Sequence, residues 1–579
     1  APISALGLRM GTLDGNPALS VASTESSYPH RVHVEQNVFE NLGAPYAEGI
    51  DHIFWGQFMA SPGDRAQDSF SGDAILPHLN QLGNVTITAR FAGSYGYNPA
   101  PGLHHVKLWI NSSTVSAGEA FFFGNDPYTA VFNVSASELL EGLNRLKFKA
   151  IGDLSGGDYD VVLLDWFEIT YPHDFVSDQD IAQVYTSQRG TALSVSGFSG
   201  NDLLVYDVSD SGMTAKVSNA VATLTGGGTY SVAFASSSID PAQGRNFWIT
   251  RAGTIQKPDS LELNPGSSLS DTAQSFDAIY VGTAENLDAV RPLADLRTRQ
   301  GFRVKLIDIE DIYSEFGQGL FSAQVLKDFI HFAATQWAAP ALKYVILVGD
   351  GTDDPRNSLG IGTKNTLPVH MMLGSAQDFA SDNWFVAFNP GDDLPNLSIG
   401  RIPGNTPNLI SAYVSKVMAY EEGSSRPQGQ AAKDITFIAD QDQLGEEGFA
   451  PRVAQLSSQI SSINSALNPK VLSRVLVSDA DLKQQIISSF NSGSVIINYF
   501  GHGAENIWAG NSVFTNVDAD ALSNNVYPVV ITMDCLNAAH FYANGYQTLA
   551  DRLLFNPNGG AIALWGSTSM TSSSSQAPY

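Results

Sequence analysis

The sequence predicts a multidomain protein whose first half is all-β and whose second half is α/β. Three observations carry this. At 579 residues the chain is too long for a single core. Up to about Pro265 the apolar residues fall in short β-branched or aromatic runs between Gly, Asn and Asp turns. From near Ser270 onward such runs alternate with amphipathic helical stretches, the order of parallel βαβ units.

Residues 1–172 contain strand patterns at 106–110, 128–134, 145–149 and 161–171. Their length and spacing predict a sandwich of jelly-roll type. Residues 173–269 read as a second β domain, with strands at 202–206, 230–234 and 246–250 and a turn at Gly226-Gly227-Gly228. Residues 270–425 form a first α/β subdomain: strands 276–281, 302–307 and 343–348, with helices at 287–300, 322–338 and 408–422. Residues 426–579 form a second α/β subdomain, read as stacked on the first. It has strands 435–438 and 471–477, helices 449–465 and 479–491, two further apolar strands, a helix near 549–555 and a strand at 560–565. The serine-rich run Ser572–Tyr579 follows directly on a strand, which predicts a larger precursor or a processed fragment.

Composition excludes several classes. Hydrophobic residues make up 43% and aromatics 10%, so the chain is globular. Lys and Arg number 31 against 58 Asp and Glu, a formal charge of −27. Such a surface repels nucleic acid and anionic lipid, so neither is an expected partner. The single cysteine cannot form an internal disulfide. No apolar run approaches the roughly 20 residues of a transmembrane helix. Ala1-Pro2-Ile3 opens without the basic start and apolar stretch of a secretory signal, as a trimmed secreted chain would.

The two strands left unassigned above carry the chemistry. One runs Gly493-Ser-Val-Ile-Ile-Asn-Tyr-Phe-Gly-His502-Gly503, the other Tyr527-Pro-Val-Val-Ile-Thr-Met-Asp-Cys535-Leu-Asn537. Each places a reactive side chain at its carboxyl end, the edge where open α/β sheets build their sites. A lone cysteine is commonly a small buried hydrophobe. Around Cys535, however, Asp534, Asn537 and His540 turn the chain polar at once, where a core strand would stay apolar. His502 lies between two glycines, which clear space beside the ring and admit backbone N–H groups. His540 is a rival base. A thiol with an ordinary pKa of about 8.5 is largely protonated at neutral pH, and an adjacent imidazole takes that proton. The backbone N–H groups of Gly503 and Cys535 are placed to bind a developing oxyanion. Acyl transfer at a peptide carbonyl is the natural reaction.

Gly501-His502-Gly503 followed by Met533-Asp534-Cys535-Leu536-Asn537 resembles the His-Gly and Cys motifs of the gingipain family, cysteine peptidases of the caspase-like clan. Val348-Gly349-Asp350, Leu397-Ser-Ile-Gly-Arg401, Ala419-Tyr420-Glu421 and Gly559-Gly-Ala-Ile-Ala563 are similar to further landmarks of that family, in its order. The resemblance covers about residues 270–579. Leu164-Asp-Trp-Phe-Glu168 also resembles a segment found upstream in larger members. The resemblance implies Cys535 as nucleophile, His502 as base, and Gly503 and Cys535 as oxyanion donors.

Departures from the family pattern shape the remaining expectations. The acid that supports the histidine is replaced by Asn396, with Asp393 near it in sequence. The acid that reads arginine is replaced by Asn408. Glu505 and Trp508 follow the histidine closely and are expected to line the primary pocket, although Trp508 reads equally well as packing under the loop. Asp350, Asp353, Asp354 and Asp392 place carboxylates on Gly-rich turns without a complete EF-hand loop. Solvated turn carboxylates are the simpler reading; the resemblance implies structural calcium, and the chemistry requires no cofactor.

The expected function is a secreted or cell-surface, bacterial-type cysteine endopeptidase acting on protein or peptide substrates. Its N-terminal β domains would serve surface or matrix association. Two rivals stand beside it: a sortase-like transpeptidase of a bacterial secretion system, and a lapsed peptidase scaffold kept as a structural or adhesive protein.

Overall fold

The computed structural model describes residues 10–41, 52–60, 67–94, 103–153, 159–187, 191–235, 244–260, 266–362, 365–374, 377–389, 391, 394–442, 448–511, 513–542 and 545–572. Asp392, Asp393 and residues 573–579 lie outside them. The chain divides into two compact units, 1–41 with 51–262, and 42–50 with 263–579.

The first unit is all-β. A four-stranded sheet, in the order Gly118–Phe123, Leu103–Ile110, Gly142–Ala150, Ser69–Leu76, faces a five-stranded one in the order Tyr128–Ser135, Asn84–Gly93, Asp160–Asp174, Ser27–Glu35; the strand Gly56–Ala60 also pairs with Asp160–Asp174. Alternate residues of both sheets, among them Phe91, Leu108, Phe148 and Phe167, are buried against one another. That period-two burial is what a half-buried antiparallel strand produces. A second pair of sheets closes over Val184, Val195, Val205, Phe234 and Phe247. Gly226-Gly227-Gly228 forms its expected turn, between strands Val221–Leu224 and Tyr230–Ala235, and Gly227 and Gly228 both have positive φ. This second pair also takes in Gly11–Asp14, parallel to Ala215–Ser218, and Val21–Ala22, parallel to Thr191–Phe198. The chain thus enters the second sandwich before it builds the first, a long-range pairing that local patterns do not encode.

The second unit holds two parallel sheets. One has the order Val304–Asp308, Ala278–Gly282, Tyr344–Val348, Ser398–Ile402; the other Asn468–Ser473, Asp434–Ala439, Ile496–Phe500, Val529–Met533, Ala563–Trp565. The inner strands are mostly buried on both faces because helices cover both sides; every residue of Ala278–Gly282 is buried. The helices Ala284–Arg299, Ala323–Gln336, Pro407–Glu421, Phe449–Ile463, Asp479–Ser492 and Leu549–Phe555 follow the predicted stretches closely. One core joins the two sheets: Tyr280, Val348, Ile402 and Ile410 pack with Tyr527, Phe555 and Ile562. The hydroxyl of Tyr413 donates to Ile562 O at 2.9 Å across it.

One strand ends early. The pattern at 471–477 gives a strand at Asn468–Ser473, because Arg474 turns inward to pair with Asp440 at 3.0 Å and Asp479 at 2.7 Å.

Candidate active site

The strands that carry His502 and Cys535 are direct neighbours. They pair in parallel with Ile496 opposite Val529 and Phe500 opposite Met533. The ladder continues one step further, since Gly501 N–H donates to Met533 O at 3.2 Å. His502 and Cys535 therefore occupy equivalent positions just beyond the carboxyl edge.

The backbone of His502 is fixed from both sides. Its N–H donates to Asp440 Oδ2 at 3.2 Å, and its C=O accepts from the Tyr499 hydroxyl at 2.6 Å and from Ala509 N–H at 2.9 Å. Asp440 is buried at the end of strand Asp434–Ala439, its other oxygen taken by Arg474 and by Gln441 N–H. Burial raises the Tyr499 phenol well above its usual range, which keeps it a donor. The imidazole is half-buried and meets the ring of Phe449 edge-on, centroids 5.4 Å apart.

The two flanking glycines are required by close approach. A methyl group on Gly501 would lie 2.2 Å from Asp440 Cβ, and one on Gly503 would lie 2.4 Å from Asp534 Oδ2. The space beside the histidine is thus filled by two buried acidic side chains. Burial pushes the Asp534 carboxyl well above the usual carboxylate range, toward its neutral form.

Cys535 is half-buried and is not sealed into the core. Its Sγ lies 3.4 Å from Thr571 N and 3.5 Å from Thr571 O. The next residue, Leu536, has φ +64°, a left-handed turn that swings the chain sharply out of the strand. Leu536 N–H donates to Ser569 O and Ala538 N–H to Ser567 O, so residues 567–571 run alongside the cysteine turn.

Past the histidine, residues 503–508 form a hairpin closed by Glu505 and Asn506. Ala509 N–H bonds to His502 O, so the 503/508 pair is of the type that exchanges no ladder bonds, and Gly503 N–H points away from its partner strand. Trp508 has no exposed surface, stacks on Tyr499 at 4.8 Å and donates its Nε1–H to Asn537 Oδ1 at 2.6 Å. The expectation that Trp508 lines a substrate pocket is thereby corrected: it packs beneath the loop. Glu505 is half-buried and accepts from the Tyr542 hydroxyl at 3.2 Å.

The structure does not bring the other expected residues beside His502 and Cys535. Asn396 precedes strand Ser398–Ile402 at its amino end, the wrong edge of the sheet, and its Oδ1 accepts Phe388 N–H at 2.9 Å. It cannot support His502 from there. Asn408 is exposed in the first turn of helix Pro407–Glu421. The rival His540 is turned toward Asp350, Nδ1 to Oδ1 2.8 Å. Burial alone would lower its pKa, but the hydrogen bond and charge of Asp350 leave it raised. The turn carboxylates have protein partners: Asp350 holds His540 and Gly351 N–H, while Asp354 accepts from Ser358 and Leu359 N–H. Asp353 N–H donates to Phe541 O. Among the described residues no three His, Cys, Asp or Glu side chains converge as a metal site. Asp392 and Asp393 fall outside the described residues.

Asp440 and Tyr499 were missed from the sequence. The available signal was an acid directly after an apolar strand, Ile438-Ala439-Asp440, on the same sheet edge as His502 and Cys535.

The family model for peptidase family C25 matches residues 271–579, more than half of the chain. The chain belongs to peptidase family C25. This is the gingipain family, and the motif resemblance holds over the span it predicted. Gingipain R2 from Porphyromonas gingivalis is 20% identical over 258 residues, 44% of this chain and 31% of that protein. Gingipain R1 from Porphyromonas gingivalis is also 20% identical over 258 residues, covering 23% of its length. The C25 chain thus spans less than a third of these relatives. A crystal structure of dimeric latent PorU from Porphyromonas gingivalis matches with a TM-score of 0.51 at 16% identity, over 76% of this chain and 44% of that one. That likeness shows a shared fold reaching beyond the C25 unit. Among the described residues no helix is long and apolar enough to cross a membrane.

Proposed function

We propose that this C25 member is a cysteine endopeptidase working through a Cys535–His502 pair on a caspase-like α/β unit, preceded by two β-sandwiches, the first of jelly-roll type. The observation that carries the reading is the in-register parallel pairing of Phe500 with Met533. Neighbouring strands lie about 4.8 Å apart, so His502 and Cys535 leave the sheet side by side on the edge where such sites form.

In this mechanism the imidazole takes the thiol proton and the thiolate attacks the peptide carbonyl. The carbonyl oxygen becomes an oxyanion and is met by the N–H groups of Gly503 and Cys535. Collapse expels the amine, which receives the proton from His502, and water then resolves the thioester. The outward-facing Gly503 N–H and the left-handed turn after Cys535 both support this arrangement. Protein or peptide chains are the proposed substrates, outside the cytoplasm, where an acidic chain with no disulfide and a single thiol is compatible with secretion.

The test is to trap the intermediate. A peptide ester mixed with the protein and quenched in acid gives an intact mass increased by one acyl group, mapped to Cys535. The His502→Ala protein shows no such adduct. An adduct on another residue, or equal acylation without His502, overturns the reading.

A further inference from the structure

We infer that Asn537 is a positioning residue that sets the oxyanion-binding N–H of Gly503 against Cys535, an inference that rests on the peptidase reading above. Asn537 lies two residues beyond the proposed nucleophile and has no exposed surface. Its side chain reaches across to the hairpin that follows the histidine. Oδ1 accepts the Trp508 Nε1–H, while Nδ2 donates to Ala504 O and Ile507 O. The amide therefore uses both N–H donors and its carbonyl oxygen on one target.

The three bonds grip the hairpin on both strands, immediately beside Gly503. The proposed donor sits on the histidine loop and the sulfur on the cysteine turn. Asn537 joins these two loops directly by side-chain hydrogen bonds. Trp508, stacked on Tyr499, is the rigid half of the clamp, and Tyr499 in turn holds the carbonyl of His502. An oxyanion donor acts only when it is aimed in advance at the place where charge develops. The hairpin is held on its outer strand by the pairing of Ile507 and Trp508 with Thr515 and Phe514, and at its turn by Leu549 N–H on Glu505 O and Asn516 N–H on Asn506 O; Asn537 ties its Ala504 strand to the cysteine turn.

Asparagine is required on chemical grounds. Aspartate would keep the acceptor for Trp508 but set a carboxylate against two carbonyl oxygens, and alanine would leave the buried Trp508 Nε1–H without this acceptor. The role predicted is on the acyl-transfer step and not on the thiol, because none of the three bonds touches Cys535 or the His502 ring.

Asn537→Asp and Trp508→Phe separate these effects. The phenylalanine keeps a ring against Tyr499 and removes the Nε1–H together with part of the indole's buried bulk, a packing loss that the unfolding measurement reads separately. Each variant is compared with the parent for thermal unfolding, for the rate of Cys535 alkylation by iodoacetamide, and for kcat and KM on a peptide amide. Alkylation is displacement at a saturated carbon and develops no oxyanion. The expected result is alkylation within about threefold of the parent, KM little changed, and kcat reduced by about 10²–10³ in Asn537→Asp, on the scale of one lost oxyanion donor. Trp508→Phe should fall between that variant and the parent.

A folded Asn537→Asp with parental kcat overturns the inference, as does a parallel fall of kcat and alkylation, which would place the effect on the thiol. If Asn537→Asp does not fold, a Trp508→Phe protein with unchanged kcat overturns it as well. A parent that alkylates at Cys535 but hydrolyses no peptide overturns the peptidase reading itself, a result distinct from either variant outcome.

Discussion

The carboxylate of Asp440 accepts the backbone N–H of His502 at 3.2 Å, while its other oxygen pairs with Arg474 at 3.0 Å. A buried ion pair thereby anchors the main chain at the proposed general base. Parallel strands fix backbone position only as far as their last ladder bond. Beyond Gly501 it is Asp440, with Tyr499 on the opposite side of the peptide, that sets where the imidazole begins.

Removing that carboxylate is expected to be costly. Asp440→Ala leaves the Arg474 guanidinium, itself mostly buried, short of one partner. Breaking a buried pair from one side costs about 3–5 kcal/mol, here at the low end because Asp479 remains. Asp440→Asn keeps an acceptor and should cost about 1 kcal/mol. Urea unfolding distinguishes the two; equal stability of the alanine and asparagine proteins contradicts the anchoring role.

Gly503 faces Asp534 too closely for any side chain. Overpacking of this kind costs about 1–3 kcal/mol, so Gly503→Ala should be destabilised by that amount. Asp534→Ala should relieve it, because the two share one space. A double-mutant cycle is expected to give a coupling of about 1 kcal/mol or more. Simple additivity would show that the contact is not what excludes a methyl group.

Lys416 gives a pH signature away from the site. Its ammonium is buried over Leu553 O and Leu554 O, at 3.1 and 2.9 Å, and burial lowers its pKa to about 7. In the unfolded chain a lysine titrates near 10.4. Between those values the unfolded state binds more protons, so stability rises with pH across that window. Lys416→Met should lose that rise, and the parent should gain on it by about 1 kcal/mol per pH unit between pH 8 and 9.5. Urea midpoints at two pH values test it, and parallel curves for the two proteins refute it.

Glu505 sits at the hairpin tip beside Tyr542, whereas Asn408 is neutral and exposed. An arginine side chain entering a pocket needs a carboxylate partner. Any preference for arginine over a neutral residue at the cleaved bond should therefore drop about tenfold or more in Glu505→Gln, on the scale of a charged hydrogen bond. Matched arginine and neutral peptides measure this. Strict arginine preference that survives the substitution places the pocket elsewhere.

Much of the C25 unit was legible because its inner strands are dominated by apolar residues and its helices are bounded by clear caps such as Thr283, Ser478 and Thr548. His502 and Cys535 stand out as candidates because Gly501-His502-Gly503 and Asp534-Cys535 break apolar runs abruptly. What escaped was contact between distant segments. Nothing local to Asn396 shows that it lies at the amino end of its sheet, and nothing local to Trp508 shows that Asn537 waits to accept its indole N–H. The glycines around His502 were recognised as making space, but Asp440 and Asp534, which fill it, come from other strands. The parallel pairing of Gly11–Asp14 with Ala215–Ser218 is the same limitation on a larger scale.

The most direct test of the account is hydrolysis of a mixed peptide library by the parent and by Cys535→Ala, read by mass spectrometry of the products. The parent is expected to cut internal peptide bonds. Cys535→Ala should unfold as cooperatively as the parent while losing at least about 10⁴-fold in rate, the scale seen when one member of a catalytic unit is removed. A folded Cys535→Ala protein that cleaves the library at the parental rate contradicts the assignment of Cys535 as nucleophile.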